Sequence, residues 1–254
     1  MYEQLLTDID ERTGVNRITL NRPEQRNALN SELVGELKDA LALAAADHRV
    51  RVIAIAGAGK DFCAGADLRE LCASVEEGVL ASLDDAESLG ELFLLLRRLE
   101  KPVVAVVHGR ALAGGCGLAT ACDLVVASED ALFGYPEVKL GFVPAMVMAI
   151  LRRAVGERVA FELIATGAAI DAETARGHGM VNRVFAADRF EEEAGEYLQA
   201  LADRSASAIA LSKRLFYQID GSSFESAIRA GAEVNALARL TDDCQAGIAS
   251  FLDR

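Results

Sequence analysis

The chain has 254 residues, 52% of them hydrophobic, with 26 Lys or Arg against 39 Asp or Glu and a formal net charge of −13. That length can bury the core of one α/β domain, or of one domain with an appendage. The negative charge argues against nucleic acid or an anionic membrane surface as main partner, and no apolar run reaches the ~18 residues that suggest a membrane span.

In chain order, residues 2–8 and 14–20 read as two strands joined by a turn around Thr13-Gly14. Asn30 or Ser31 can cap a helix running to about Asp47, with Leu33, Leu37, Ala40, Leu41 and Ala44 on one face. Val50 to Ala56 is a buried strand bounded by Gly57 and Gly59. A helix starts at 68–72 and a longer one covers about 76–99. Strands follow at 101–107 and 124–127, with a short helix from Gly115 to Ala121 between them. From about 143 onward the pattern is helical except for a strand at 181–185. The amphipathic helices from about 196 onward need a surface for their apolar faces, either their own core or a neighbouring subunit.

Two strand-to-helix turns carry the chemistry. HGRALAGGCGLATACD (108–123) follows one buried strand, and GAGKDFCAGADL (57–68) follows another. Small residues let a ligand approach the backbone. A helix N-terminus offers unpaired N–H groups and partial positive charge. The pair can aim two donors at one oxyanion, a carbonyl oxygen or a phosphate. Neither turn has the GxxxxGK[ST] or GxGxxG pattern of nucleotide-binding loops.

The acidic, mixed start MYEQLLTDIDERTG is unlike a secretory signal. The five cysteines (63, 72, 116, 122 and 244) form no CxxC pair and no His/Cys metal spacing. They read as reduced structural thiols of a cytoplasmic protein with no metal.

Three runs together resemble the enoyl-CoA hydratase/isomerase (crotonase) family: NRPEQRNALN at 21–30, DFCAGADL at 61–68 and GRALAGGCGLATACDLVVAS at 109–128. FGYPEVKLGFVPA at 133–145 adds a fourth. The resemblance implies an α/β fold: a crotonase-like spiral of ββα units over 1–195 and a helical trimerisation region over 196–254. It implies an acyl-CoA thioester substrate, no cofactor beyond the coenzyme A of that substrate, and a homotrimer or homohexamer.

By motif position the two thioester-binding N–H groups fall on Ala66 and Gly114, and an acid/base glutamate falls on Glu137. The position that carries a first glutamate in typical family hydratases is Gly117 here. Glycine moves no proton, so acid/base work falls on Glu137. A replacement acid would have to come from Glu70, Glu76, Glu77, Asp84, Asp85 or Glu87. Contacts to the coenzyme A substrate are expected from Arg26, Ala28, Ala64, Gly65, Asp67, Leu68, Gly115 and Pro136. Phe251 and Arg254 are expected to reach it from an adjacent subunit. Cys116 reads as packing and His108 as a hydrogen-bonded structural residue. Acyl selectivity would depend on the 70–95 segment and on Phe142, Val143, Ala145 and Met146.

EVKLGFVPAMV also looks like the matching stretch of single-glutamate bacterial hydratases of the methylglutaconyl-CoA type. The expected activity is therefore addition of water to a 2-enoyl-CoA. The alternatives are isomerisation of a 3-enoyl-CoA to a 2-enoyl-CoA, or acyl-CoA binding without catalysis.

Overall fold

The order of strands explains the runs of apolar residues. A computed structural model describes residues 2–253. Its main sheet has six strands in the order β1 (Leu5–Asp10), β2 (Val15–Leu20), β3 (Val52–Gly57), β4 (Val103–Val107), β6 (Leu124–Ser128) and β9 (Arg183–Phe185). Only the β1–β2 hairpin is antiparallel; every other pairing is parallel. A parallel sheet covered on both faces needs no polar alternation. In β3, Ile53 and Ile55 enter one core with α1 (Ser31–Ala46), while Val52, Ala54 and Ala56 enter another with α8 (Phe190–Ala202).

Asn30 caps α1 by accepting from the Leu33 N–H at 3.0 Å, and the expected face of α1 is buried, with Val34 added. The helical stretch from 68 to 98 breaks at Gly78 into α2 (Leu68–Glu77) and α3 (Val79–Arg98).

Three strands escape the sequence reading. A second sheet contains β5 (Arg110–Leu112), β7 (Leu132–Gly134) and β8 (Ala169–Asp171). Each has three residues, too few for a period of two to stand out. They pack against α4 (Gly114–Ala121) and α7 (Ala172–Gly177), while α5 (Ala145–Ala154) packs on α4 and on α6 (Glu157–Thr166). The strand expected at 181–185 is present as β9, but β8 interrupts the stretch expected to be helical before it.

Residues 195 and 196 lie inside α8, which packs on the main sheet. The chain leaves that sheet with α9 (Ala206–Gln218), α10 (Phe224–Ala238) and α11 (Asp242–Leu252). α9 is fastened by one buried ammonium. Lys213 donates to Asp123 Oδ2 at 2.6 Å and to the carbonyls of Leu96 and Lys101, each at 2.9 Å. Asp123 also accepts from Tyr217 Oη at 2.8 Å and from the Val103 N–H at 2.7 Å. Neither α10 nor α11 buries a residue, and Phe224, Ile228, Leu237, Ile248 and Leu252 are exposed along them.

Removing one member of a buried ion pair strands the other charge, at a cost of about 3–5 kcal/mol. Asp123→Ala should lower stability by that order, read as a shift of the denaturant midpoint; an unchanged midpoint would show that Lys213 does not depend on it.

Candidate active site

The two turns foreseen in the sequence meet, and backbone geometry explains how. Leu29 donates to the Gly65 carbonyl at 2.7 Å and accepts from the Asp67 N–H at 2.8 Å. This bridge leaves the intervening Ala66 N–H pointing away from Leu29. The Gly114 N–H opens α4, so it has no intrahelical acceptor. Neither N–H donates to an acceptor among the described residues. They are neighbours: a Cβ built on Gly114 would stand 3.8 Å from Ala66 N. Two fixed, unpaired donors of this kind can hold a developing oxyanion.

The approach leaves no space for side chains. A Cβ on Gly65, at φ +103°, would lie 2.7 Å from Ala113 Cβ and 3.3 Å from Gly114 N. One on Gly115 would lie 2.3 Å from the Cys63 carbonyl oxygen, so Gly115 faces Cys63. Ala113, just before the donor, sits at φ 50° and ψ −127°. A residue in so sparsely populated a region costs on the order of 1–3 kcal/mol and persists only where its surroundings hold it. Here the Ala113 N–H donates to the Gly134 carbonyl at the end of β7, at 2.8 Å.

An ion pair joins the two turns. Arg110 donates from Nε to Asp61 Oδ1 at 2.8 Å, from Nη2 to Oδ2 at 3.1 Å, and from its backbone N–H to Oδ1 at 3.1 Å. Burial pushes the Asp61 carboxyl up, but the hydrogen bonds and charge of Arg110 outweigh it and hold it below the usual range. His108 adds a contact from Nε2 to the Gly59 carbonyl at 2.9 Å, the structural role read from the sequence.

Glu137 follows β7 on a short 3-10 turn, Pro136–Leu140, with half-buried Pro136 at its start. It is 8% exposed, and its buried Oε2 has no hydrogen-bond partner. Burial raises its pKa above the ordinary value. It lies near enough to Cys116 for its charge to contribute to raising that thiol. Burial pushes the Cys63 and Cys116 thiols up to about 12, so both stay protonated at neutral pH and act as packing groups.

The residues expected to contact coenzyme A fall into two groups. Arg26 is exposed at φ 51°, and its carbonyl accepts from the Ala64 N–H at 3.0 Å, which brings loops 22–29 and 57–68 together. Ala28 is buried, and its carbonyl accepts from the Arg22 guanidinium. The Asp67 carboxylate already accepts from Arg22 Nη2 at 2.9 Å and from the Arg69 N–H at 3.1 Å. Leu68 is exposed beside it, at the start of α2. Phe251 stands apart on α11, 77% exposed and uncovered by its own chain. Arg254 lies outside the described residues.

Of the six candidate replacement acids, Glu70 accepts from the Ser31 N–H and hydroxyl at 2.7 and 2.9 Å. Glu76, Glu77, Asp84, Asp85 and Glu87 are exposed on α2 and α3. Among the described residues no group of three or more His, Cys, Asp or Glu side chains could hold a metal ion.

Sequence reasoning missed Asn27. It is fully buried at φ 55°; its Oδ1 accepts from the Arg22 N–H, and its Nδ2 donates to the Ala58 and Asp61 carbonyls. Asparagine tolerates this left-handed conformation better than most residues, which was the available signal.

The helix-covered six-stranded sheet and the crossed turns are those of an enzyme of the crotonase fold. A solved enoyl-CoA hydratase from Mycobacterium smegmatis matches with a TM-score of 0.95 at 35% identity, covering 99% of this chain and 96% of that one. The family model for enoyl-CoA hydratase/isomerase matches residues 10–254. A Thermus thermophilus protein provisionally named an enoyl-CoA hydratase is 41% identical over 244 residues, covering 96% of each chain. The 2,3-dehydroadipyl-CoA hydratase of Escherichia coli is 36% identical over 238 residues, covering 93% of this chain and 91% of its own. The chain belongs to the enoyl-CoA hydratase/isomerase family, whose members act on acyl-CoA thioesters.

Two outcomes follow from the geometry. Gly65→Ala should force the turns apart and lower kcat/KM on an enoyl-CoA by about 10²-fold, as loss of one oxyanion donor does; full activity would mean that the spacing is not critical. If the carboxylate form of Glu137 is the working base, kcat/KM should fall as pH drops through a pKa above the ordinary glutamate value. A rate that is flat down to the ordinary glutamate range would remove Glu137 from that role.

Proposed function

We propose that the protein is a hydratase that adds water to a 2-enoyl-CoA thioester. The Ala66 and Gly114 N–H groups receive the thioester oxygen. Glu137 takes a proton from water as the water oxygen bonds to the β-carbon. Electron density moves through the double bond to the thioester oxygen, where the two donors stabilise the enolate. The proton on Glu137 then passes to the α-carbon, and the carboxylate is restored. The observation that carries this reading is the buried Glu137 carboxylate, one oxygen unpartnered, three residues beyond the Gly134 carbonyl that holds Ala113, where two crossing turns each present an unpaired N–H group. The name of the Escherichia coli relative supports hydration.

A second reading is favoured by the bare Gly117. A single carboxylate suffices to take a proton from C2 of a 3-enoyl-CoA and return it at C4, giving the 2-enoyl isomer without water. In either reaction Arg26, Ala28, Ala64, Gly65, Asp67, Leu68, Gly115 and Pro136 shape the coenzyme A side of the site. The exposed apolar residues of α10 and α11 support a trimer or hexamer in which Phe251 and Arg254 meet a neighbour's ligand.

Glu137→Gln keeps the shape and removes the base. It should lower turnover of crotonyl-CoA by about 10²–10⁴-fold while acyl-CoA binding persists. Turnover near the parent rate would defeat the assignment. Migration of the double bond in a 3-enoyl-CoA, with no hydration of 2-enoyl-CoA by the parent protein, would select the isomerase instead.

A further inference from the structure

At Gly117 helix α4 presents a bare Cα to α5. A Cβ built there would stand 2.1 Å from Val147 Cγ1, 3.1 Å from Val147 Cβ and 3.4 Å from Phe93 Cζ. Carbon atoms in contact prefer about 3.5–4.0 Å, so the first distance is an overlap. Val147 is buried on α5, and Phe93 is buried on α3. A β-branched side chain in a helix is confined to essentially one rotamer. Val147 therefore cannot swing aside as the tip of a long side chain would.

The place it fills bears on the chemistry. Residue 117 is three positions beyond the donor Gly114, on the same face of α4. The Cα–Cβ bond of a helical residue tilts toward the helix N-terminus. A side chain at 117 would extend toward the first turn of α4, where the Gly114 N–H meets the Ala66 turn. On the adjoining face, the Cys116 thiol meets the Tyr135 hydroxyl, two residues before Glu137.

We infer that Val147, with Phe93 beside it, is a positioning residue that holds the site to one carboxylate. The close packing of α5 on α4 keeps position 117 free of any side chain, and the proton chemistry is left to Glu137. An acid enters position 117 only when Val147 is shortened. The catalytic half of this assignment rests on the proposed acyl-CoA reaction; the packing half rests on distances alone.

The test is a cycle of four proteins: the parent, Gly117→Glu, Val147→Ala and the pair. Each is followed by thermal melting and by the pH dependence of kcat/KM on crotonyl-CoA. Gly117→Glu alone should lower Tm on the order of 5–10 °C, the usual scale for overpacking a core. The pair should recover more than half of that loss. It should also show a second ionisation in its pH profile that neither single variant has. The inference is overturned if Gly117→Glu melts with the parent, or if the two single losses simply add in the pair. It is equally overturned if the pair folds but keeps the parent's single-ionisation profile. Absence of turnover in the parent itself would count against the proposed reaction, while the melting cycle would still decide the packing.

Discussion

Everything at this site depends on two backbone turns crossing at a distance that admits no side chain. Gly65 lies against Ala113, and Gly115 lies against Cys63. The crossing alone places the Ala66 and Gly114 N–H groups side by side. It is held from several directions: by the Leu29–Ala66 and Cys63–Ala111 bridges, by the Asp61–Arg110 pair, and by the β7 carbonyl that restrains Ala113. That many restraints account for a non-glycine residue at φ 50° beside the donor. Conformational cost met by folding is not met again when charge develops on a ligand.

The helices around the crossing are tied to one another by a second set of buried or half-buried charges. Lys213 and Asp123 fasten α9 to the end of α3 and the start of β4. Just past α9, Asp220 accepts from Arg97 of α3 at 3.1 Å and from Arg153 of α5 at 2.6 Å. The two helices that wall Gly117 are therefore both tied to the C-terminal region.

A lone buried carboxylate is an economical base. Apolar surroundings raise its affinity for a proton, which suits a group that must both accept and return one. Water addition and double-bond migration differ in whether water or a substrate carbon supplies the first proton. In the proposed mechanism the carboxylate and the two backbone donors would serve both. On the proposed reading the two reactions are told apart by the space given to the acyl chain, and Phe142 and Val143, exposed just before α5, are the residues the sequence offers for that role.

Much of this was legible in the sequence. The apolar-rich run from Val50 to Ala56 announced a buried strand, and Asn30 or Ser31 announced the start of α1. The small-residue turns announced backbone donors; that an acid is missing at Gly117 came from the family resemblance, and the other signals came from the residues themselves. These are local signals, because propensity, capping and periodicity act over a few residues. The three-residue strands of the second sheet gave no such signal. Nor did Asn27 as a tie between two loops, although its tolerance of a left-handed backbone was a hint. The pairing of Asp61 with Arg110 and the filling of position 117 by Val147 join residues 49 and 30 positions apart. Sequence alone determined that a side chain is absent at 117. Only the tertiary structure decided that nothing else can enter there, because the space is closed by a helix whose contact with α4 exists only once the chain has folded.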